Sequence, residues 1–571
     1  MSRPWRLRPV DDERVSRLAG TLNLEPLVAR LLTLRGLSQQ DDVSSFLRAS
    51  LADMPDPSLL ADIRLAAERV VDAVDAGEKI TVYGDYDVDG VTSSAVLSLF
   101  CRDVFGVELD IYIPHRLREG YGLNLEAVDA LVNSGTRVLV TVDNGSSAID
   151  EVAHATHKGV DVVIIDHHQI SDPEPEAYAH LNPHRESCAF PYKGLAAVGV
   201  AFLLTVEMRK VLRERSDSRA ASARPDRYLD LVALGTVADV APLTGLNRSI
   251  VRYGVDVMRR APRLGIRALM ETSKTAPDSV TARDLGYRIG PRINAAGRLD
   301  DATRGFRVLV GDDEPSVRSL AQKIEAQNDE RRAIQARMTE EAMEQAGSEV
   351  NTDRAVLVLA SDTWHPGVVG IVASKMVEEF GKPSILLAED GGVLKGSARS
   401  IGGVNIKAAL DLCAPHLMKY GGHVAAAGMT LRPDRLEVFR EAMNHAVESV
   451  RTGDGGALPI DVDAEIDFAT VGRKLVLFLE ELAPFGQGNA APILMSRGVQ
   501  GRPKLMRGGH LKILLEGERG QRLEGLAWNR AEDAPLLDGP IDILYTPERD
   551  FWRGRERLVL RVHDFRASQA T

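Results

Sequence analysis

The feature that most constrains this 571-residue chain is a texture that begins at Lys79. Short apolar runs stop abruptly in acidic or Gly-containing turns: KITVYGDYDVDG, VELDIYIPHR, TRVLVTVDNG and VDVVIIDHH. Helix-like stretches lie between them, such as VTSSAVLSLFCRDVF and NLEAVDALVNSG. Strand, helix and strand in alternation specify a parallel sheet with right-handed crossovers. In open α/β sheets, ligands bind beyond the carboxyl ends of the strands. Three of the runs end in Asp or His clusters, so those clusters are expected to converge in space.

The rest of the chain divides around this unit. At about 150 residues per domain, the length suggests roughly four domains. Residues 1–70 read as mainly helical, with no chemistry that can be named. The first α/β unit is expected over 71–313, with an exposed loop at 212–226 (LRERSDSRAASARPD). Residues 314–347 lack internal Gly and are rich in Ala, Glu, Gln and Arg, which predicts a long helix joining two domains. A second α/β unit follows over 348–450, then a Gly-rich linker, TGDGGALP. From 458 to 571, short alternating segments separated by turns predict a β-barrel or sandwich.

Composition narrows the class. The chain is 44% hydrophobic and 27% charged, as expected of a soluble globular protein. Its net charge of −12 excludes a uniformly basic chain, but not a nucleic-acid enzyme with a local basic stripe. The longest mainly apolar run, Gly194 to Val206, is shorter than the roughly 20 residues of a membrane span. The segment MSRPWRLRPVDDER has no apolar core of a secretory signal. Cys101, Cys188 and Cys413 lie far apart and form no metal or disulfide pattern. A cytoplasmic location is expected, with no membrane association.

GDYDVDG places Asp85, Asp87 and Asp89 two residues apart, and carboxylates so crowded repel one another unless cations bind. A Ca²⁺ loop of the EF-hand type would need Glu at position twelve, where Val96 stands. VDNG supplies Asp143, IIDHH supplies Asp166, His167 and His168, and GTVADV adds Asp239. Singly, each is compatible with an ordinary acidic turn or a structural His. A mixed Asp/His set without Cys favours Mn²⁺ or Mg²⁺ over structural Zn²⁺. Two such ions about 3.5–4 Å apart clamp a phosphoryl group and activate water, so phosphoryl hydrolysis is the chemistry expected.

The motifs DYDVDG, VDNG, DHH and TVAD, in that order, resemble the DHH phosphoesterase superfamily. HRLREGYGLN, RIGPRINAAGRLD, NDERR, WHPGVVGIVASKMVE, GSARS, GGHVAAAG and APFGQGNAAP narrow the resemblance to its RecJ family of single-strand-specific 5′→3′ exonucleases. The resemblance spans residues 70 to 565. It implies a parallel-sheet DHH domain, a long helix, an α/β DHH-associated domain and a C-terminal OB-fold barrel. It further implies two Mn²⁺ or Mg²⁺ ions held by Asp87, Asp89, Asp143, His167 and Asp239, with Asp143 bridging. Asp85 is a ligand or an orienting group, His168 meets the scissile phosphate or leaving oxygen, and Asp166 orients its neighbours. Arg399 and His423 approach the substrate from the second lobe; Ala398 stands where the family has Gly.

For Arg292, Arg298 and Asp300, phosphate contact stands against a buried ion-pair network, with Arg298 assigned to catalysis. Arg116, Tyr121, Arg288 and Asn294 are assigned to nucleic acid, although Arg116 and Tyr121 could equally cap a loop. Trp364 and His365 are read as packing and turn residues. In the barrel, Lys504, Arg507, Lys512, Arg553, Arg555 and Arg557 supply positive charge. Trp528, Tyr545, Phe551 and Trp552 are candidate stacking platforms or barrel core.

The leading expectation is processive hydrolysis of single-stranded DNA in repair and recombination, releasing 5′-mononucleotides. A phosphodiesterase of short oligonucleotides or cyclic dinucleotides, and a metal-free binding scaffold, are the alternatives. A monomer is expected, with a single-strand-binding protein and a RecQ-type helicase as partners implied by the resemblance alone.

Overall fold

A computed structural model describes residues 3–116, 118–299, 301–349, 354–452, 459–552 and 555–568. Asp300, Arg553 and most of the Gly-rich linker therefore lie outside the described residues, as do the side chains of Phe551, Trp552 and Arg555.

The first lobe is built on five parallel strands, ordered Asp110–Tyr112, Ile80–Gly84, Val138–Val142, Asp161–Ile165 and Ala179–Leu181. Alternate residues face opposite sides. Val82, Val140 and Val163 enter a core with the helices Val88–Phe105, Ala197–Glu214 and Leu229–Ala238, while Tyr83, Leu139 and Val162 pack on the other side against Val128 and Val152. Both faces are covered, which is why these strands read as near-continuous apolar runs. Strand order reverses between Ile80–Gly84 and Val138–Val142. A doubly wound sheet opens its ligand crevice at such a switch point. The loops leaving those two strands carry Asp85 and Asp143.

The long helix runs Glu314–Glu349 and belongs to two cores. Val317, Ala321 and Ile324 pack into the first lobe, while Met338, Ala342 and Ala346 pack into the second. The second lobe has a mixed five-stranded sheet, ordered Lys419–Gly422, Ala426–Leu431, Val393–Arg399, Ser384–Asp390 and Leu357–Ser361; only the last pair is parallel.

The C-terminal unit is a closed barrel, not a sandwich. Leu494–Met506 pairs with His510–Glu516 on one side and with Pro540–Trp552 on the other, and Arg522–Ala527 and Arg555–Ala567 complete the ring. The N-terminal segment leans on this unit. Strand Trp5–Leu7 pairs with Ile460–Val462, and Arg248, fully buried, donates to the carbonyls of Phe46, Glu481 and Leu482. Residues 212–226 are more ordered than a polar loop: helix continues to Glu214, two short turns follow, and Ala223 and Pro225 are buried.

No helix among the described residues is long and apolar enough to cross a membrane.

Candidate active site

The acidic loop is shaped by its own backbone. Asp87 caps helix Val88–Phe105, its Oδ1 accepting the N–H groups of Asp89 (2.8 Å) and Gly90 (3.2 Å). A Cβ on Gly90 would sit 2.5 Å from the backbone of Asp85, so this turn admits only glycine. Asp143 follows its strand in the left-handed region, at φ 64°, an arrangement costly for a residue with a side chain. Asn144 braces it by donating to the carbonyl of Val142 at 2.9 Å. Asp239 is placed by a helix C-terminus, that of Leu229–Ala238, rather than by a strand.

These elements bring the acidic and imidazole groups together. His167 Nε2 lies 3.3 Å from Asp143 Oδ1, 3.7 Å from Asp239 Oδ2 and 3.9 Å from Asp89 Oδ2. Ligand atoms of three sets converge within 4.8 Å: Asp85, Asp87 and Asp143; Asp89, His167 and Asp239; Asp143, His167 and His168. Asp143 belongs both to the set with Asp85 and Asp87 and to the set with the two imidazoles.

The electrostatics fit a cation cluster. Burial, then repulsion by neighbouring carboxylates, drives Asp85 and Asp143 well above the usual carboxylate range. The same causes push Asp89 up to about 7 and Asp239 up to about 9. Burial and His168 hold His167 down to about 4, leaving a neutral ring with a free lone pair. Asp85 Oδ1, Asp143 Oδ1 and His167 Nε2 are buried with no hydrogen-bond partner among the described residues. Buried polar atoms rarely stand alone. Divalent cations would satisfy all three, and the oxygen-rich donor set with imidazole suits Mn²⁺ or Mg²⁺.

Around the cluster, other residues hold its members. Asp166 Oδ1 accepts from His168 Nδ1 at 2.8 Å and from the N–H of His167, and its Oδ2 accepts the N–H of Ser146. Against the effect of burial, these bonds hold Asp166 below the usual range and raise His168 to about 9. Asn182, fully buried, donates to the carbonyl of His168 and to Ser146 Oγ, both at 2.9 Å. Sequence reasoning passed over Asn144, Ser146 and Asn182, because an Asn or Ser after a strand reads as a turn. The Asp89 carboxylate also braces the fold, accepting the N–H groups of Ala197 and Val198 at the start of helix Ala197–Glu214.

Beside the cluster lies a cleft of about 620 Å³ between the lobes, lined by Tyr86, Arg116, Arg298, Ser397 and Arg399. Arg298 donates to the carbonyl of Gly367 at 3.1 Å, across the two lobes. Arg399 donates to Ser397 Oγ and to the carbonyl of Ala398. The Arg116 guanidinium lies over the Tyr86 ring at 4.8 Å. Among the described residues, none of the three has an ion-pair partner. Burial and mutual repulsion lower Arg298 to about 9 and pull Arg399 down. The Ala398 methyl is buried in the core of the second lobe, on the strand face opposite Ser397 and Arg399. His423 is exposed in the turn between Gly422 and Ala426, which line the cleft.

Several expected contacts are engaged elsewhere. Arg292 is buried against Glu325, the structural ion pair rather than a phosphate contact. Asn294 Oδ1 accepts the N–H of Val88, so it supports the acidic loop. Tyr121, by contrast, stays at the site: its hydroxyl donates to the carbonyl of Asp143 at 3.0 Å and lies 3.2 Å from His168 Nδ1, while its ring stays half exposed. Arg288 is exposed and 3.3 Å from Asp284. Trp364 is buried and bonded to Glu341. In the barrel, Lys512 pairs with Glu524 at 2.6 Å, and Arg557 with Asp550 and Glu524. Lys504 and Arg507 are exposed without an ion pair among the described residues. Tyr545 is barrel core, its hydroxyl 2.7 Å from Ser496 Oγ, whereas Trp528 is half exposed against His510.

Comparison with known proteins agrees with this architecture. Residues 79–236 match the DHH family N-terminal domain, 353–449 the DHHA1 domain and 462–564 the RecJ OB domain. The chain is 37% identical to the single-stranded-DNA-specific exonuclease RecJ of Dickeya dadantii, over 96% of this chain and 95% of that protein. It is 36% identical to the protein of that name from Escherichia coli, over 96% and 94%. The crystal structure of Thermus thermophilus RecJ with Mn²⁺ superposes with a TM-score of 0.84 at 27% identity, covering 99% of this chain and 80% of that one. Three domains in the family's order, on a single chain of matching length, place this protein in the RecJ family of single-stranded-DNA-specific exonucleases.

Proposed function

We propose that this protein hydrolyses single-stranded DNA from its 5′ end, one nucleotide at a time, releasing 5′-mononucleotides. The observation that carries the reading is the adjacency of a buried carboxylate and imidazole cluster to a cleft lined by three unpaired guanidiniums. Asp85, Asp87, Asp143, Asp89, His167 and Asp239 would hold two Mn²⁺ or Mg²⁺ ions, Asp143 being shared. Bound there, such ions supply an activated water and stabilise charge on the leaving oxygen.

The protein's own groups do the rest. Arg116, Arg298 and Arg399 grip backbone phosphate from two lobes, and Ser397 adds a hydroxyl. His168, held protonated at Nδ1 by Asp166, faces the reacting phosphate and donates a proton or hydrogen bond to the leaving oxygen. His423 lies at the rim of the cleft. A cleft closed by both lobes excludes duplex on steric grounds. The barrel, through Lys504 and Arg507, holds the strand still to be digested.

Both lobes come from one chain, so a monomer suffices. A single-strand-binding protein and a RecQ-type helicase in the cytoplasm would present the strand, in repair and recombination.

The test is a digestion time course on a long single strand labelled at either end and on the matching blunt duplex, with Mn²⁺, Mg²⁺ or EDTA. Immediate mononucleotide release from the 5′ label, with duplex intact, supports the reading. Turnover of di- or trinucleotides alone moves the protein to the small-substrate branch of the superfamily.

A further inference from the structure

A strand held by both the catalytic cluster and the barrel must cross the seam between them. One turn occupies that seam. Residues Leu285–Ile289 form a π-helical turn leading into helix Gly290–Leu299. A π-turn carries one residue more than an α-turn, and such turns recur at functional sites. Here it thrusts Tyr287 outward. At 75%, Tyr287 is the most exposed large apolar or aromatic side chain among the described residues.

The inner side of the turn packs on the helix that ends at Asp239. A Cβ on Gly286 would meet Val237 at 3.4 Å, and one on Gly290 would meet Ala238 at 3.3 Å. The helix that follows carries Asn294, bonded to the acidic loop, and Arg298 of the cleft. On the outer side, Arg283 crosses to Glu548 of the barrel at 3.7 Å, and Glu548 also holds Arg561 at 3.0 Å. Val240, next to Asp239, adds a second apolar surface, 65% exposed.

Three guanidiniums meet two carboxylates at this seam: Arg283 and Arg561 share Glu548, and Arg288 faces Asp284. The tyrosine ring stands outside these pairs. Unlike Tyr121, Tyr287 makes no hydrogen bond among the described residues. The seam therefore offers a passing strand an aromatic face beside a small excess of positive charge.

The geometry points to Tyr287 as a stacking platform for one nucleobase of the bound single strand, between the catalytic centre and the barrel. Every base has a π face, so the contact grips without reading sequence. This inference rests on the proposed single-strand nuclease activity.

The experiment measures affinity for a phosphorothioate-linked single strand, with one abasic nucleotide moved stepwise from the 5′ end. The intact protein, Tyr287→Ala and Tyr287→Phe are compared. Tyr287→Ala should bind the unmodified strand about tenfold more weakly, and Tyr287→Phe should restore most of the loss. One abasic position should weaken the intact protein by a similar factor and leave Tyr287→Ala unaffected. Equal affinity and an identical abasic profile in Tyr287→Ala overturn the platform, as does a Tyr287→Phe variant no better than Ala. An intact protein that neither binds nor digests single strands overturns the nuclease reading itself. Digestion by the intact protein together with an unaltered Tyr287→Ala overturns the platform alone.

Discussion

Two self-repelling sites of opposite sign share the segment Asp85–Asp87 of this molecule. In the first lobe, burial and then mutual repulsion push Asp143 and Asp239 up; in the cleft, burial and then neighbouring guanidiniums push Arg298 and Arg399 down. The carboxylates all come from one lobe and are fixed by backbone N–H groups and a glycine-only turn. The guanidiniums come from both lobes, Arg116 and Arg298 from one and Arg399 from the other. A compact point charge suits the first arrangement. A larger anion lying between the lobes suits the second. Each site is completed by what the other cannot hold.

Breaking the shared carboxylate should have the largest effect. Asp143→Ala removes the carboxylate shared by two of the converging sets, and cleavage of a labelled single strand should fall by about a thousandfold or more. Binding of long strands, measured by fluorescence anisotropy, should persist through the barrel. Residual cleavage within tenfold of the intact protein would mean that Asp143 does not join the two sets.

Crowding without cations should also be visible in stability. Asp239 rises from an ordinary value near 4 to about 9 in the fold. Between those values the folded, metal-free protein binds more protons than the unfolded chain. Its stability should therefore decline as pH rises through that window. Free Mn²⁺ at a hundred times its Kd should restore about 2.7 kcal/mol and flatten the decline. Thermal unfolding in EDTA and in Mn²⁺ at several pH values measures both, and an unchanged Tm would remove the cation assignment.

The cleft should respond less steeply and in a different parameter. Arg399→Ala loses a charge-assisted contact from the second lobe, which should cost about 10- to 100-fold in kcat/KM. Arg399→Lys should recover only part, because an ammonium cannot reproduce the planar fork. A variant confined to KM would show that Arg399 binds the strand without favouring the transition state.

Sequence and structure agree where chemistry repeats in pattern, and diverge where a role depends on a partner distant in the chain. The parallel sheet followed from apolar runs ending in acids, and the convergence of Asp85, Asp143 and His167 followed from strand ends sharing one edge. The pattern of segments alone left barrel or sandwich open, because closure rests on Leu494–Met506 pairing with Pro540–Trp552, distant in the chain; the family resemblance supplied the OB-fold barrel. Arg292 and Arg298 look alike in PRINAAGRLD. Glu325 of the long helix claims the first, while the second reaches the carbonyl of Gly367 across the cleft. Asn182 was invisible because its function is to hold His168 by a backbone carbonyl.

The smallest expected effect separates three barrel lysine and arginine residues that composition treats alike. Lys504 and Arg507 are exposed and unpaired among the described residues, whereas Glu524 lies 2.6 Å from Lys512. A cation that neutralises strand phosphate releases counterions and contributes about 0.7 to the slope of log affinity against log salt for single strands. Lys504→Ala and Arg507→Ala should each reduce the slope by about that amount and weaken binding uniformly across sequences. Lys512→Ala should leave the slope nearly unchanged, because Glu524 already answers its charge. Titrations of a long single strand at several salt concentrations give all three slopes. Equal losses from all three would mean that the strand displaces Glu524 from Lys512, widening the basic path to the whole face of the hairpin Leu494–Glu516.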